Sequence, residues 1–282
     1  MANNSIGNTF MRGFMRLPVA IRTLIALNTV LFLAQVVFST FFGIRISNYM
    51  ALLPHWKPAL MQPWRIVTYM FVHATWNPFH FIFNMLWLWW MGRPVEEAIG
   101  SRSFFTLYFG AGLTGAIIDI IVGSFFAVSP VIGASGAVYG IMVAFAMLFP
   151  RVPIMLFLLP PIEARYVISG FIALDVLFLS SGDGVARLVH IGGALGGYLL
   201  MKARQKGFDL SIIIRYFEYL FNKMKPVAKP KNKNMHIVSD AEIIEEVDQT
   251  ELDEILEKIS KKGYDSLTKS EKQKLFELSK KN

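Results

Sequence analysis

Residues 133–150 read GASGAVYGIMVAFAMLFP, and after Ser135 no charged side chain occurs until Arg151. A run of this length and composition suits a helix crossing a hydrocarbon core about 30 Å thick, which takes roughly 20 apolar residues. Its two ends are unlike. The tail is bulky and apolar, whereas the head is Gly133-Ala134-Ser135-Gly136, small residues around a hydroxyl that is a poor lipid-facing group.

Five further apolar runs flank it, at about 19–42, 78–92, 103–123, 164–180 and 187–204. Six spans predict an all-α polytopic membrane protein. Composition agrees, since 54% of the 282 residues are hydrophobic and only 17% charged, against about a quarter charged in soluble domains. The second run is short, from Pro78 to Gly92, and needs Trp87, Trp89 and Trp90 as interface anchors. The first is expected to be a retained span and not a cleaved leader, because its apolar part is long and no small-residue cleavage site precedes Phe41 and Phe42.

The net charge of +8 lies entirely in the first 224 residues, because the tail from Lys225 carries 12 Lys and 12 Asp plus Glu. Positive charge concentrated beside apolar spans reads as a topology signal and argues against a nucleic-acid surface. Among the short connections, ten Lys and Arg fall on one side and four (Arg45, Lys57, Arg65 and Arg187) on the other. Both termini are therefore expected in the cytoplasm, in a multi-pass cell-membrane protein. Ser135 then lies near the outer end of span 4, and His190, at the start of span 6, lies at similar depth.

The outer connection at about 43–77 is rich in aromatics and Pro and poor in charge, so it is expected to fold into the membrane interface. Ile154 to Ile162, with Pro160-Pro161, reads as an interfacial excursion, because Pro cannot sustain a helix interior. Beyond the membrane domain at 15–206, residues 207–225 form a basic amphipathic juxtamembrane segment suited to the lipid surface. Residues 226–250 form a linker, and 251–282 a small helical cytosolic module with a capping-box spacing at Thr268 and Glu271.

Several side chains converge chemically. Gly133 and Gly136 permit a tight turn around Ser135 and expose N–H groups at a helix start, which pairs a nucleophile with the beginning of an oxyanion hole. Gly136 and Gly140 also fit a plain small-residue packing face. His190, Gly193 and Gly197 share one face of span 6, and Ser135 and Tyr139 share one face of span 4. Packing those faces would bring His190 to Ser135 as a general base, with Tyr139 beside the imidazole. His80 and Asn84, four apart on span 2, offer donors for a developing oxyanion or ordinary interhelical hydrogen bonds. Asp119 and Asp175 lie within spans, but neither has a spacing that ties it to His190, so a Ser-His dyad is the more economical reading.

With no Cys in the chain, thiolate chemistry and disulfides are excluded. A zinc hydrolase built on His73, His80 and His190 lacks any HExxH run. A transporter would need to explain polar residues confined to one side without an inverted repeat. No metal or other cofactor is expected.

The chain resembles the rhomboid family of intramembrane serine proteases over roughly residues 15–206. The resemblance rests on Trp64-Arg65, on His80-Phe-Ile-Phe-Asn84, on Gly92 with Glu96 and Gly100, on Gly133-Ala-Ser135-Gly136 with Tyr139, and on His190-Ile-Gly-Gly193 with Gly197. It implies a six-transmembrane-helix bundle with a large lateral first outer loop containing Trp64-Arg65. It further implies Ser135 as nucleophile and His190 as base and then acid. His80, Asn84 and the Ser135 N–H would form the oxyanion hole, and Tyr139 would support the His190 ring. The implied partners are membrane lipids and single-span membrane protein substrates, cut near their outer ends, in a bacterial cytoplasmic membrane. Val189 stands where the family often has Ala, and the His73 to His80 spacing is longer than in some members. A catalytically silent scaffold that binds transmembrane helices is the alternative; such members typically lack the serine or the histidine, and both are present here. The tail resembles a small cytosolic module of some bacterial rhomboids.

Overall fold

A computed structural model describes residues 12–125, 129–155, 160–179, 181, 186–224 and 249–279. The linker expected at 226–250 lies almost wholly outside them, as does the middle of the 154–162 excursion. The chain divides into two compact units, Met1–Pro226 and Val227–Asn282. The described residues are almost entirely helical.

In the first unit the principal helices are α1 (Val19–Phe42), α5 (Pro78–Ile99), α6 (Ser101–Gly123), α7 (Ser135–Leu148), α8 (Ala164–Leu177) and α9 (Arg187–Gln205). Between α1 and α5 the chain forms α2 (Ser47–Met50), α3 (Trp56–Met61), α4 (Arg65–Thr68) and a 3-10 turn at Tyr69–Phe71. The strands β1 (Pro153–Ile154) and β2 (Ile162–Glu163) pair antiparallel before α8, and α10 (Ser211–Met224) follows α9. Both α1 and α6 are long and apolar enough to cross a membrane. The apolar side chains of Val30, Leu33, Val37 and Phe41 on α1 are exposed, the inverse of a soluble helix.

α5 runs 22 residues, past the expected end at Gly92 and through Pro94. Proline removes one hydrogen bond, but packing holds the helix together. Ile21 of α1 and Phe104 of α6 fill the space a side chain at Gly92 would occupy. Just beyond, the buried Glu96 carboxylate accepts the Ala20 and Ile21 N–H groups, both at 2.8 Å, and the Ser101 hydroxyl at 2.6 Å. Pro18 supplies no side-chain cap to α1. Glu96 therefore satisfies orphan donors at the start of α1 and places negative charge at its positive end.

The core is built from α6, α7 and α9, with Phe104, Leu107, Tyr108, Ile141 and Val189 fully or almost fully buried. Glycines set the separation of α7 from α9. A Cβ on Gly140 would meet the Gly193 carbonyl oxygen at 2.9 Å, and one on Gly193 would collide with the Gly136 carbonyl. In a membrane, where lipid competes for apolar contact, such close approach is what binds helices together.

The second unit contains α11 (Gln249–Lys262), a 3-10 turn at Tyr264–Ser266 and α12 (Lys269–Ser279). Its capping box is formed: Glu271 accepts from the Thr268 N–H at 2.6 Å, and the Glu271 N–H donates to the Thr268 hydroxyl at 3.3 Å.

Candidate active site

Ser135 is the first residue of α7, and the turn before it is imposed by its neighbours. Leu52 and Val131 exchange backbone hydrogen bonds at 2.8 and 2.9 Å, and the Gly133 N–H donates to the Tyr69 carbonyl at 3.0 Å. Gly133 has φ +122°, and a Cβ there would lie 2.7 Å from His80 Nε2. Only glycine meets both constraints.

The outer connection that supports this turn is stapled by Arg65. Its guanidinium donates to the carbonyls of Ala51 at 2.9 Å and Asn48 at 2.6 Å and to the Gln62 side chain. Trp64 Nε1 donates to the Tyr49 carbonyl at 3.1 Å. The hydrogen bonds of both side chains run to Asn48, Tyr49, Ala51 and Gln62 of the same connection, so they hold the loop.

His190 enters from α9, with Nε2 2.8 Å from Ser135 Oγ. The Tyr139 ring stacks on the imidazole, centroids 4.4 Å apart and 12° from parallel. Val189, beside the histidine, is fully buried and packs its Cγ1 into the space left by the absent side chains of Gly115 and Gly136. Its extra bulk relative to Ala is thus accommodated by glycines on two helices.

His80, on α5, accepts a long hydrogen bond at Nδ1 from the Ala74 N–H at 3.5 Å, an arrangement that suits the tautomer with its proton on Nε2, the nitrogen facing Gly133. Asn84 is buried and donates one amide hydrogen to the His80 carbonyl at 2.7 Å; its second amide hydrogen remains for another acceptor. His73 packs edge-on against Phe81 and beside His80, and its backbone is clamped by Gln35 through hydrogen bonds of 3.0 and 3.2 Å. Burial, reinforced by His80 and opposed by the Phe71 backbone, pushes the His73 imidazole down to about 3, so it is neutral at physiological pH. Among the described residues no group of three His, Asp or Glu is disposed to hold a metal ion.

The structure therefore brings Ser135, His190, Tyr139 and Gly133 together, with His80 against the same turn. Of Asp119, Asp175 and His73, to which the sequence assigns no role, Asp175 reaches the site. It is buried on α8, with Oδ2 3.0 Å from His190 Nδ1. The available signal was general: an ionisable residue inside a span marks a functional site by default.

The rhomboid domain model matches residues 60–205. The chain belongs to the rhomboid family. A family of unknown function (DUF6576) matches residues 246–281. Relatives include the rhomboid protease AarA of Providencia stuartii, 27% identical over 262 residues, covering 82% of this chain and 89% of AarA. The rhomboid protease GluP of Bacillus subtilis is 32% identical over 145 residues, 50% of this chain and 26% of GluP. The mitochondrial rhomboid protein 1 of Saccharomyces cerevisiae is 30% identical over 128 residues, 43% of this chain and 36% of that protein. Against the yeast and Bacillus proteins the chain thus spans about a third and a quarter of the relative's length. Homology to rhomboid proteases supports proteolysis as the function at the level of the family, and with the apolar helices it supports a multi-pass membrane location.

Proposed function

We propose that the chain is an intramembrane serine endopeptidase with a six-span membrane domain at 15–206 and both termini in the cytoplasm. Its substrates are single-span membrane proteins, cut near the outer end of the transmembrane segment. The observation that carries this reading is the 2.8 Å contact between His190 Nε2 and Ser135 Oγ at a helix start with free N–H groups.

Ser135 Oγ attacks the scissile carbonyl carbon while its proton passes to His190 Nε2. The negative oxygen of the tetrahedral intermediate is met by the Ser135 N–H, by His80 Nε2–H and by the free amide hydrogen of Asn84. Collapse breaks the C–N bond, and the Nε2 proton goes to the leaving amine. Water then attacks the acyl ester and gives a proton to Nε2. Expulsion of Ser135 Oγ, which regains that proton, frees the new carboxyl end. Glycines at Gly136, Gly193 and Gly197 maintain the close approach that keeps base and nucleophile in contact. The α10 segment, with Phe217 and Phe221 exposed beside Arg215 and Lys223, lies along the cytoplasmic leaflet.

The test is covalent labelling by a serine-directed fluorophosphonate in detergent, together with cleavage of a reporter transmembrane substrate. Ser135→Ala is expected to abolish both and His190→Ala nearly so. Unlabelled wild-type protein that still binds transmembrane helices would move the reading to a silent scaffold.

A further inference from the structure

We infer that Asp175 is the positioning residue of His190, so that the site operates as a Ser-His-Asp arrangement and not as a dyad. This rests on the serine-protease reading above. Asp175 Oδ2 lies 3.0 Å from His190 Nδ1, with the two side chains only 10% and 12% exposed. The other carboxylate oxygen faces Arg187 Nε at 3.7 Å, one turn before His190 on the same helix. The shorter contact makes the imidazole the primary partner and Arg187 the counter-charge that offsets burial of the carboxylate. Tyr139, already stacked on the ring, also interacts electrostatically with Asp175.

A carboxylate at Nδ1 accepts the Nδ1 proton and leaves the Nε2 lone pair directed at Ser135 Oγ. It thereby selects the one tautomer that can act as a base. When Nε2 takes the serine proton, the same carboxylate stabilises the imidazolium without taking a proton itself. Stacking by Tyr139 fixes the plane of the ring, but it cannot choose between the tautomers. That choice falls to Asp175.

Along α8 the buried residues are Ala164, Val167, Ile168 and Asp175. Past Ile168, Phe171 and Ile172 pack against the core, Phe171 edge-on to Trp87 with centroids 5.6 Å apart, and Asp175 supplies the buried polar contact. Displacement of that half of α8 would also remove the group that orients the histidine.

The experiment uses the full chain in detergent with a reporter transmembrane substrate, comparing wild type, Asp175→Asn, Asp175→Glu and Ser135→Ala. Asp175→Asn is expected to lower kcat by about a hundredfold or more, against about 10⁴-fold where a triad carboxylate is the sole orienting group, with KM nearly unchanged. Asp175→Glu restores at least about a tenth of the activity, since it returns the charge at imperfect reach. A low-field Nδ1 proton resonance, assigned by its absence in His190→Ala, is present in wild type and lost in Asp175→Asn. Wild-type kcat in Asp175→Asn with Ser135→Ala inactive overturns the inference and leaves the serine protease standing. Cleavage by Ser135→Ala overturns the underlying reading instead. Should Asp175→Asn fail to fold, absence of the low-field proton in folded wild type is enough to overturn the inference.

Discussion

Gly193 on α9 faces the backbone carbonyl of Gly136 on α7 with no room for a methyl group between them. This contact lies at the residue next to Ser135 on α7 and one helical turn from His190 on α9, so the helix separation it sets is also the separation of nucleophile and base. Gly193→Ala is expected to cost about 1–3 kcal/mol by overpacking and to push the helices apart. Thermal unfolding in detergent should fall, and fluorophosphonate labelling of Ser135 should be lost even well below the transition. Normal labelling of a fully stable variant would contradict the packing described.

Gly133→Ala tests the turn. A φ of +122° lies beyond the left-handed helical well and costs an L-residue about 1–3 kcal/mol. The new methyl group also displaces His80 Nε2. Losing one oxyanion donor typically lowers kcat by about 10²–10³-fold, so turnover should fall far more than stability. Steady-state kinetics beside a melting curve separates the two effects; equal losses of each would argue that His80 has no such role.

Glu96→Ala should act in the opposite sense. It strands the Ala20 and Ile21 N–H groups at the start of α1, and loss of a cap with its charge costs about 1–2 kcal/mol. The catalytic geometry does not touch Glu96, so labelling at low temperature should persist while the melting temperature falls. Glu96→Gln, which keeps one acceptor oxygen, should lie between.

In the C-terminal unit, the Lys258 ammonium at 2.8 Å and the Thr268 N–H and hydroxyl hold Glu271 down to about 2, against 4.5 unfolded. Because the folded value is the lower one, this contribution is complete above pH about 4.5 and is lost as pH falls toward about 2. Amide-exchange protection of α11 and α12 in the full chain should hold constant from pH 7 to 5 and decline below that. Glu271→Gln should flatten the decline; an unchanged profile would remove the capping carboxylate as its cause.

Much of this arrangement was readable from local pattern. The starts of α1, α8 and α9 agree with the apolar runs, because hydrophobic extent is a property of consecutive residues. The facing of Ser135 and Tyr139, and of His190, Gly193 and Gly197, follows from helical periodicity alone. α5 was read too short because Gly92 and Pro94 are local breakers, while the support that overrides them comes from Ile21, Phe104 and the Glu96 bonds on other helices.

By itself the sequence determined a helical, multiply apolar chain of the rhomboid pattern and the few polar residues available for chemistry. Only the tertiary structure decided which of them meet. Asp175 and Asp119 look alike in sequence, each a lone carboxylate in an apolar run, yet one reaches His190 Nδ1 and the other does not. Periodicity specifies which face of a helix a residue occupies, but not the rotation and depth at which that helix packs against its neighbours. Those are settled by the glycine contacts of α7 with α9 and by the seating of α8, and they turn a serine and a histidine into a histidine held between a hydroxyl and a carboxylate.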